Sequence, residues 1–159
     1  MRSRELVGGN LVLVLNNTIA AVEDGRQPLL RHLEPQAPSP RVINRLEVIF
    51  EELVSNIVRH GFKAGSDQSI VVVAAVRPGE IELTFEDDGV PFDPLAVAPP
   101  EPFTSLETAK LGGLGIATVR KLSASVRYEA LAAEAQPRIL GGRPFRPRNR
   151  LTVSIATST

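Results

Sequence analysis

The chain has 159 residues, 43% of them hydrophobic and 23% charged, which fits one globular domain with a core built mainly from Val, Leu, Ile and Ala, since aromatics are only 4%. Lys plus Arg number 18 and Asp plus Glu number 18, so the basic excess that direct nucleic-acid binding requires is missing. No apolar run approaches the roughly 18 residues needed to span a membrane, the N-terminus lacks a secretory pattern, and the absence of cysteine excludes disulfides and thiolate metal sites and fits the cytoplasm.

In chain order, residues 5–15 end in a short apolar run and predict a strand. Residues 18–33 carry Ile19, Ala20, Val22, Leu29, Leu30 and Leu33 at helical spacing despite Gly25 and Pro28. Three prolines make residues 34–40 a loop, and residues 41–60 predict the strongest helix. Residues 69–76 and 80–86 are β-rich and flank Pro78-Gly79, which predicts a hairpin. Residues 87–111 are rich in Pro, Gly and Asp. A helix is expected over 113–123 and strands over 125–131 and 151–157. Residues 135–149 read as an Arg/Pro/Gly-rich loop, with Pro137, Gly141, Gly142, Pro144 and Pro147. Strands and helices are grouped rather than alternating. That predicts an α+β fold, a two-layer sandwich with helices on one face of a mostly antiparallel, mixed sheet, in a single domain 1–159.

Charge is segregated. Residues 80–107 hold Glu80, Glu82, Glu86, Asp87, Asp88, Asp93, Glu101 and Glu107 with no base, whereas 138–150 hold Arg138, Arg143, Arg146, Arg148 and Arg150 with no acid. These are either two solvated stretches or complementary patches for a partner or a second copy of the chain.

Helix 41–60 is the most informative segment. At about 100° per residue, Val42, Ile43, Leu46, Ile49, Phe50, Leu53, Val54 and Ile57 share an apolar face. Glu52, Asn56 and His60, spaced by four, form a row that drifts from the polar side into that face. Burying an amide or imidazole costs free energy unless it is hydrogen-bonded, so such a row suggests a cleft wall. A carboxylate and an amide oxygen one turn apart can hold Mg²⁺ and a water, because Mg²⁺ prefers hard oxygen donors. The plainer reading is an ordinary helix end, closed by His60-Gly61.

Two glycine-rich segments follow. Asp87-Asp88-Gly89-Val90-Pro91-Phe92-Asp93-Pro94 comes directly after a strand. It is a tight turn, or a strand-end carboxylate able to accept a hydrogen bond from an exocyclic amine such as that of adenine, with Gly89 letting the backbone lie close to a ring. Gly112-Gly113-Leu114-Gly115-Ile116 opens a helical pattern, where free N–H groups and the positive dipole end can receive an anion.

Taken in this order, the three segments resemble the boxes of GHKL ATPases. Glu52 to Phe62 resembles the N-box in the form found in RsbW-like anti-sigma-factor serine/threonine kinases. Asp87 to Pro94 resembles the first glycine box and Gly112 to Ile116 the second. The similarity covers about residues 41–131. It implies the GHKL (Bergerat) ATP-binding fold, with ATP and Mg²⁺ as cofactors. It also implies roles: Glu52 orients or deprotonates the attacking hydroxyl, and Asn56 ligates Mg²⁺. Asp87 binds the adenine amino group, with Gly89 beside the ring. His60 and Phe92 line or support the pocket. Gly113, Leu114 and Gly115 meet the phosphates, with Gly112 as a hinge, and Thr152 on the last strand reaches adenine through water. The chain departs from the family in the length of its 135–149 segment, and in Ser123-Ala124-Ser125, where relatives often carry an acid.

The family resemblance implies a kinase and anti-sigma factor that phosphorylates a STAS-type anti-anti-sigma protein and sequesters a sigma factor. Alternatives are an ATP-dependent binding switch that transfers nothing, and the catalytic fragment of a histidine kinase. Residues 92–111, with Pro94, Pro99, Pro100 and Pro102, are expected to form a lid across the pocket mouth.

Overall fold

The computed structural model describes residues 3–36, 39–60, 68–96, 114–132, 137–140 and 142–157. Eight strands and three helices are present among them: β1 (Ser3–Val7), β2 (Asn10–Asn16), α1 (Ala20–Leu33), α2 (Pro40–His60), β3 (Ser69–Arg77), β4 (Glu80–Asp87), α3 (Leu114–Leu122), β5 (Ser125–Ala130), β6 (Arg138–Leu140), β7 (Arg143–Phe145) and β8 (Asn149–Ala156). Six strands form one sheet in the order β1-β2-β3-β4-β8-β5, and each neighbouring pair is antiparallel. The helices lie on one face, so the expected α+β sandwich is the fold of this chain. Among the described residues the sheet has no parallel pair: β5, which follows the α3 excursion and runs parallel to β4, is separated from it by β8.

α2 is the central helix. Ser39 precedes Pro40, whose fixed φ suits a first helical position, and the Ser39 carbonyl accepts from Ile43 N at 3.4 Å. Its apolar face is the one the spacing defines: Val42, Leu46, Ile49, Phe50, Leu53 and Val54 are buried. They meet Leu11, Leu13 and Leu15 of β2, Ile70 and Val72 of β3, Ile81, Leu83 and Phe85 of β4, and Val153 and Ile155 of β8. Phe50 and Phe85 lie with ring centroids 6.4 Å apart and tie the helix to β4. α1 packs on α2 across Gly25, where an added Cβ would stand 2.6 Å from Phe50 Cζ. Gly25→Val should therefore destabilise the protein. The helix-propensity gain over glycine is only a few tenths of a kcal/mol, whereas forcing side chains into a filled contact costs about 1–3 kcal/mol. A thermal melt of the variant at or above the parent's midpoint would contradict this packing.

Two segments differ from expectation. The apolar run that ends residues 5–15 is a strand as expected, β2, but the residues before it add a second strand, β1, and a turn. Gly8 (φ 59°) and Gly9 (φ 86°) both occupy the left-handed region, the two-residue turn that matches strand twist and requires such residues. Residues 135–149 are not simply a loop: they contain the β6–β7 hairpin, paired Arg138↔Phe145 and turned at Gly142 (φ 77°).

The hairpin covers the sheet face opposite the helices. Phe145 is buried there with Val14 and Val71, and Val12, Val73 and Leu140 pack around them. This explains why β2 and β3 are apolar on both faces rather than alternating. Glu86 of β4 is buried on the same side. Its two carboxylate oxygens accept from Arg138 Nη2 and Arg150 Nη2, each at 2.9 Å. The Arg138 guanidinium also lies 5.5 Å from the Phe145 ring centre. One acid of the acidic stretch and two bases of the basic stretch therefore satisfy each other within the chain.

Candidate functional site

A cleft opens between α2, the C-terminal end of β4 and the N-terminal end of β8. It encloses about 420 Å³ of space, part of it open to solvent at its mouth. Its apolar floor comes from Leu53 and Ile57 of α2, Phe85 of β4 and Leu151 of β8. Val90, Phe92 and Pro94, after β4, form one wall. Asn56 and His60 face it from α2, and Asp87, Asn149 and Tyr128 close one end.

That closed end carries most of the polar chemistry. Asp87 is the last residue of β4 and is 5% exposed. Its Oδ1 accepts from Gly89 N and from Asn149 Nδ2, both at 2.9 Å. No hydrogen bond among the described residues reaches Oδ2. Burial pushes the Asp87 carboxyl up from 3.8 to about 6, while the bonds from Asn149 and Gly89 pull it down and neighbouring Asp88 pushes it up. Asn149 sits directly opposite Asp87 in the β4–β8 register. Its Nδ2 also reaches Gly89 O (3.3 Å) and Val90 O (3.2 Å), and its Oδ1 accepts from Phe92 N (3.1 Å) and from the Tyr128 hydroxyl. A carboxylate held by one oxygen above an apolar floor can take an amine donor from a flat, largely apolar ligand.

A family profile described as "histidine kinase-like ATPase domain" matches residues 15–136, which spans α1, α2, the cleft wall and α3. The chain belongs to this ATPase family. Curated relatives include the serine/threonine-protein kinase BtrW of Bordetella bronchiseptica, 29% identical over 91 residues, covering 57% of this chain and 64% of the relative. Another is the serine-protein kinase RsbW of Listeria monocytogenes, 28% identical over 93 residues, covering 56% of this chain and 59% of the relative. The match thus spans about three fifths of each of those proteins. Among solved structures, the histidine kinase domain of a blue-light-activated kinase from Erythrobacter litoralis aligns with 88% of this chain and 61% of its own, at 15% identity and a TM-score of 0.48. The resemblance to GHKL-type ATPases therefore holds at the level of the family profile.

The fold of this ATPase domain brings Asn56, His60, Asp87 and Phe92 together on the cleft lining, with Gly89 bonded to Asp87. Asn56 and His60 are on the cleft wall, and the His60 ring stacks on Phe92 at 6.0 Å and 29°. Glu52, one turn earlier on α2, lies against the first turn of α3. A Cβ added at Gly115 would meet its carboxylate, the far end of a flexible side chain, so the two residues adjoin where α2 meets α3. Gly89 donates to Asp87, as above. Leu114 opens α3. Gly112 and Gly113 lie outside the described residues, as does 97–111 of the expected lid. The described start of that segment forms a helical turn at Pro94–Ala96. Arg120 of α3 fastens it by donating to Leu95 O at 3.0 Å.

Thr152 corrects one expectation. Strand alternation places it on the opposite face from Leu151, paired with Thr84 and Arg127, so β8 reaches the cleft through Asn149 and Leu151 instead. Asn149 and Tyr128 are what the sequence reading missed. Asn149 fell in the segment assigned as loop. Its only signal was an amide just before an apolar strand.

Among the described residues, no helix is long and apolar enough to cross a membrane.

Proposed function

We propose that the cleft binds Mg·ATP and that the protein is a serine/threonine protein kinase and anti-sigma factor, phosphorylating a STAS-type anti-anti-sigma protein. The observation that carries the nucleotide reading is the half-bonded, buried Asp87 carboxylate at the closed end of an apolar cleft. Its Oδ2 would accept from the adenine amino group, with Gly89 beside the ring and His60 and Phe92 at the mouth. The kinase reading is supported by the relatives, which carry that activity in their names. The sigma-factor and STAS partners follow from the RsbW-like form of segment 52–62.

In this reading Glu52, held at the α2–α3 contact, orients the attacking hydroxyl and takes its proton as the γ-phosphoryl group transfers and ADP leaves. The backbone around Gly113, Leu114 and Gly115 would receive the phosphates at the start of α3, with Gly112 as hinge. The donors fit Mg²⁺ shared with nucleotide. No cluster of three His, Cys, Asp or Glu exists among the described residues, and Mg²⁺ keeps several waters and takes few protein ligands beside phosphate oxygens. Asn56, with its amide on the cleft wall, is the ligand we assign. When bound, Mg²⁺ would neutralise charge on the phosphates.

Asn56→Ala should weaken Mg·ATP binding by about tenfold, ~1.4 kcal/mol, with metal-free ATP far less affected. Equal losses with and without metal, measured by calorimetry, would make Asn56 a structural residue. The decisive test is to incubate the purified protein with labelled Mg·ATP and the STAS proteins of its genome. Phosphotransfer to one of them is expected. Tight nucleotide binding with no transfer to any would replace the kinase with a binding switch.

A further inference from the structure

We propose that Asn149 is the positioning residue for Asp87, holding Oδ1 of the carboxylate so that Oδ2 is presented, ionised, to the exocyclic amine of the bound base. The inference rests on reading the cleft as an adenine site.

The orientation of the Asn149 amide is fixed by its surroundings. One end faces three acceptors, Asp87 Oδ1, Gly89 O and Val90 O. The other faces the Phe92 N–H and the Tyr128 hydroxyl. An amide turned over would set oxygen against oxygen at one end and nitrogen against an N–H at the other, so only one rotamer satisfies the site. Burial raises the Tyr128 phenol above its usual range, which keeps it a donor at neutral pH. The donor end is therefore committed to the carboxylate and to the backbone of residues 89–90. A single side chain thus staples the cleft wall to β8 and fixes which Asp87 oxygen is free.

Asp87 needs that partner because it is out of water. Desolvation favours the protonated carboxyl, and a donor on Oδ1 favours the ionised one. The other charged or titratable groups around it do not replace Asn149. Asp88 opposes ionisation, and Asp93 acts on the Tyr128 phenol, which it helps to raise. Glu86 faces the other side of the sheet and is bound to Arg138 and Arg150. His60 stands across the cleft on α2, stacked on Phe92. Arg148 offers Asp87 only its backbone N–H, to the main-chain carbonyl at 2.8 Å. Without the Asn149 donor the carboxyl should hold its proton further up, into the neutral range.

The test measures adenosine binding from pH 5.5 to 8.5. Adenosine is used because a phosphate ionising near pH 6 would overlay the response. The parent protein should prefer adenosine to guanosine and lose affinity as pH falls through about 6. Asn149→Ala should bind about tenfold more weakly at pH 7, with the midpoint of its pH profile moved upward. Asn149→Asp keeps the shape but removes the donor, and should lose at least as much. Tyr128→Phe, which leaves the amide in place but loosens it, should shift the midpoint less and in the same direction. A parent without preference for adenosine overturns the adenine reading and this inference with it. A parent with that preference, beside folded Asn149 variants whose midpoint is unchanged, overturns the inference alone. A uniform loss at every pH does the same, because it would make Asn149 structural.

Discussion

Asp87→Asn should weaken ATP binding while making the free protein more stable at pH 8. The two effects have one cause. In the proposed reading the carboxylate accepts from the adenine amine, and losing a charged hydrogen bond costs roughly 1.5–3 kcal/mol, or about one to two decades of affinity. Without nucleotide the same carboxylate is a buried charge. Its pKa rises from 3.8 to about 6 on folding, so the folded state binds the proton more tightly than the unfolded one. The stabilising contribution is thus complete below about pH 4 and disappears as pH rises through 6. Above that, ionised Asp87 costs the fold on the order of 1–3 kcal/mol relative to a neutral side chain. The amide can still accept from Gly89 and Asn149 but carries no charge. Its advantage in melting temperature should be largest at pH 7–8 and shrink towards pH 4. An asparagine variant less stable than the parent at pH 8 would contradict the desolvation argument, whatever its affinity for ATP.

Glu52→Gln should separate chemistry from binding. The substitution keeps the size of the side chain that adjoins Gly115, so the α2–α3 contact should survive. It removes the group assigned to receive the hydroxyl proton, an effect of about 10²–10⁴ in rate. Phosphotransfer should fall by that factor while ATP affinity changes little. Parental transfer rates in the variant would remove Glu52 from the reaction. A matching collapse of ATP affinity would make it a binding residue instead.

Much of this site was legible in the sequence because it lies on one helix and two strand ends whose local order is strong. The four-residue spacing of Glu52, Asn56 and His60 survives in α2 as a row, and the apolar positions around it are those that bury. Asp87 could be placed because a β-rich run ends in Asp-Gly. What escaped notice depends on register and on the second face of the sheet. Thr152 and Leu151 differ by one residue and hence by a whole face, and a strand start misjudged by two residues left Asn149 in a loop. The β6–β7 hairpin was hidden by its Arg, Pro and Gly content. Its purpose is clear only once Val14 and Val71 are seen to need a cover. The doubly apolar runs of β2 and β3 were the available clue, and they are equally compatible with a helix on each side.

The placing of β8 also sets the order in which this protein can become functional during synthesis. β8 lies between β4 and β5 and pairs with both, so β5 stands at the sheet edge with β8 as its sole neighbour in the sheet order. Pairing Asp87 with Asn149 closes a loop of about sixty residues, the kind of distant contact that forms late. A nascent or truncated chain ending before Asn149 can build β1–β4 under α1 and α2 yet has neither a closed nucleotide end nor a seat for β5. ATP should therefore have no grip on partly made chains and should favour only the completed sheet, as a ligand that binds the native state alone. Insertion of β8 between β4 and β5 is then the step that closes the cleft at Asp87.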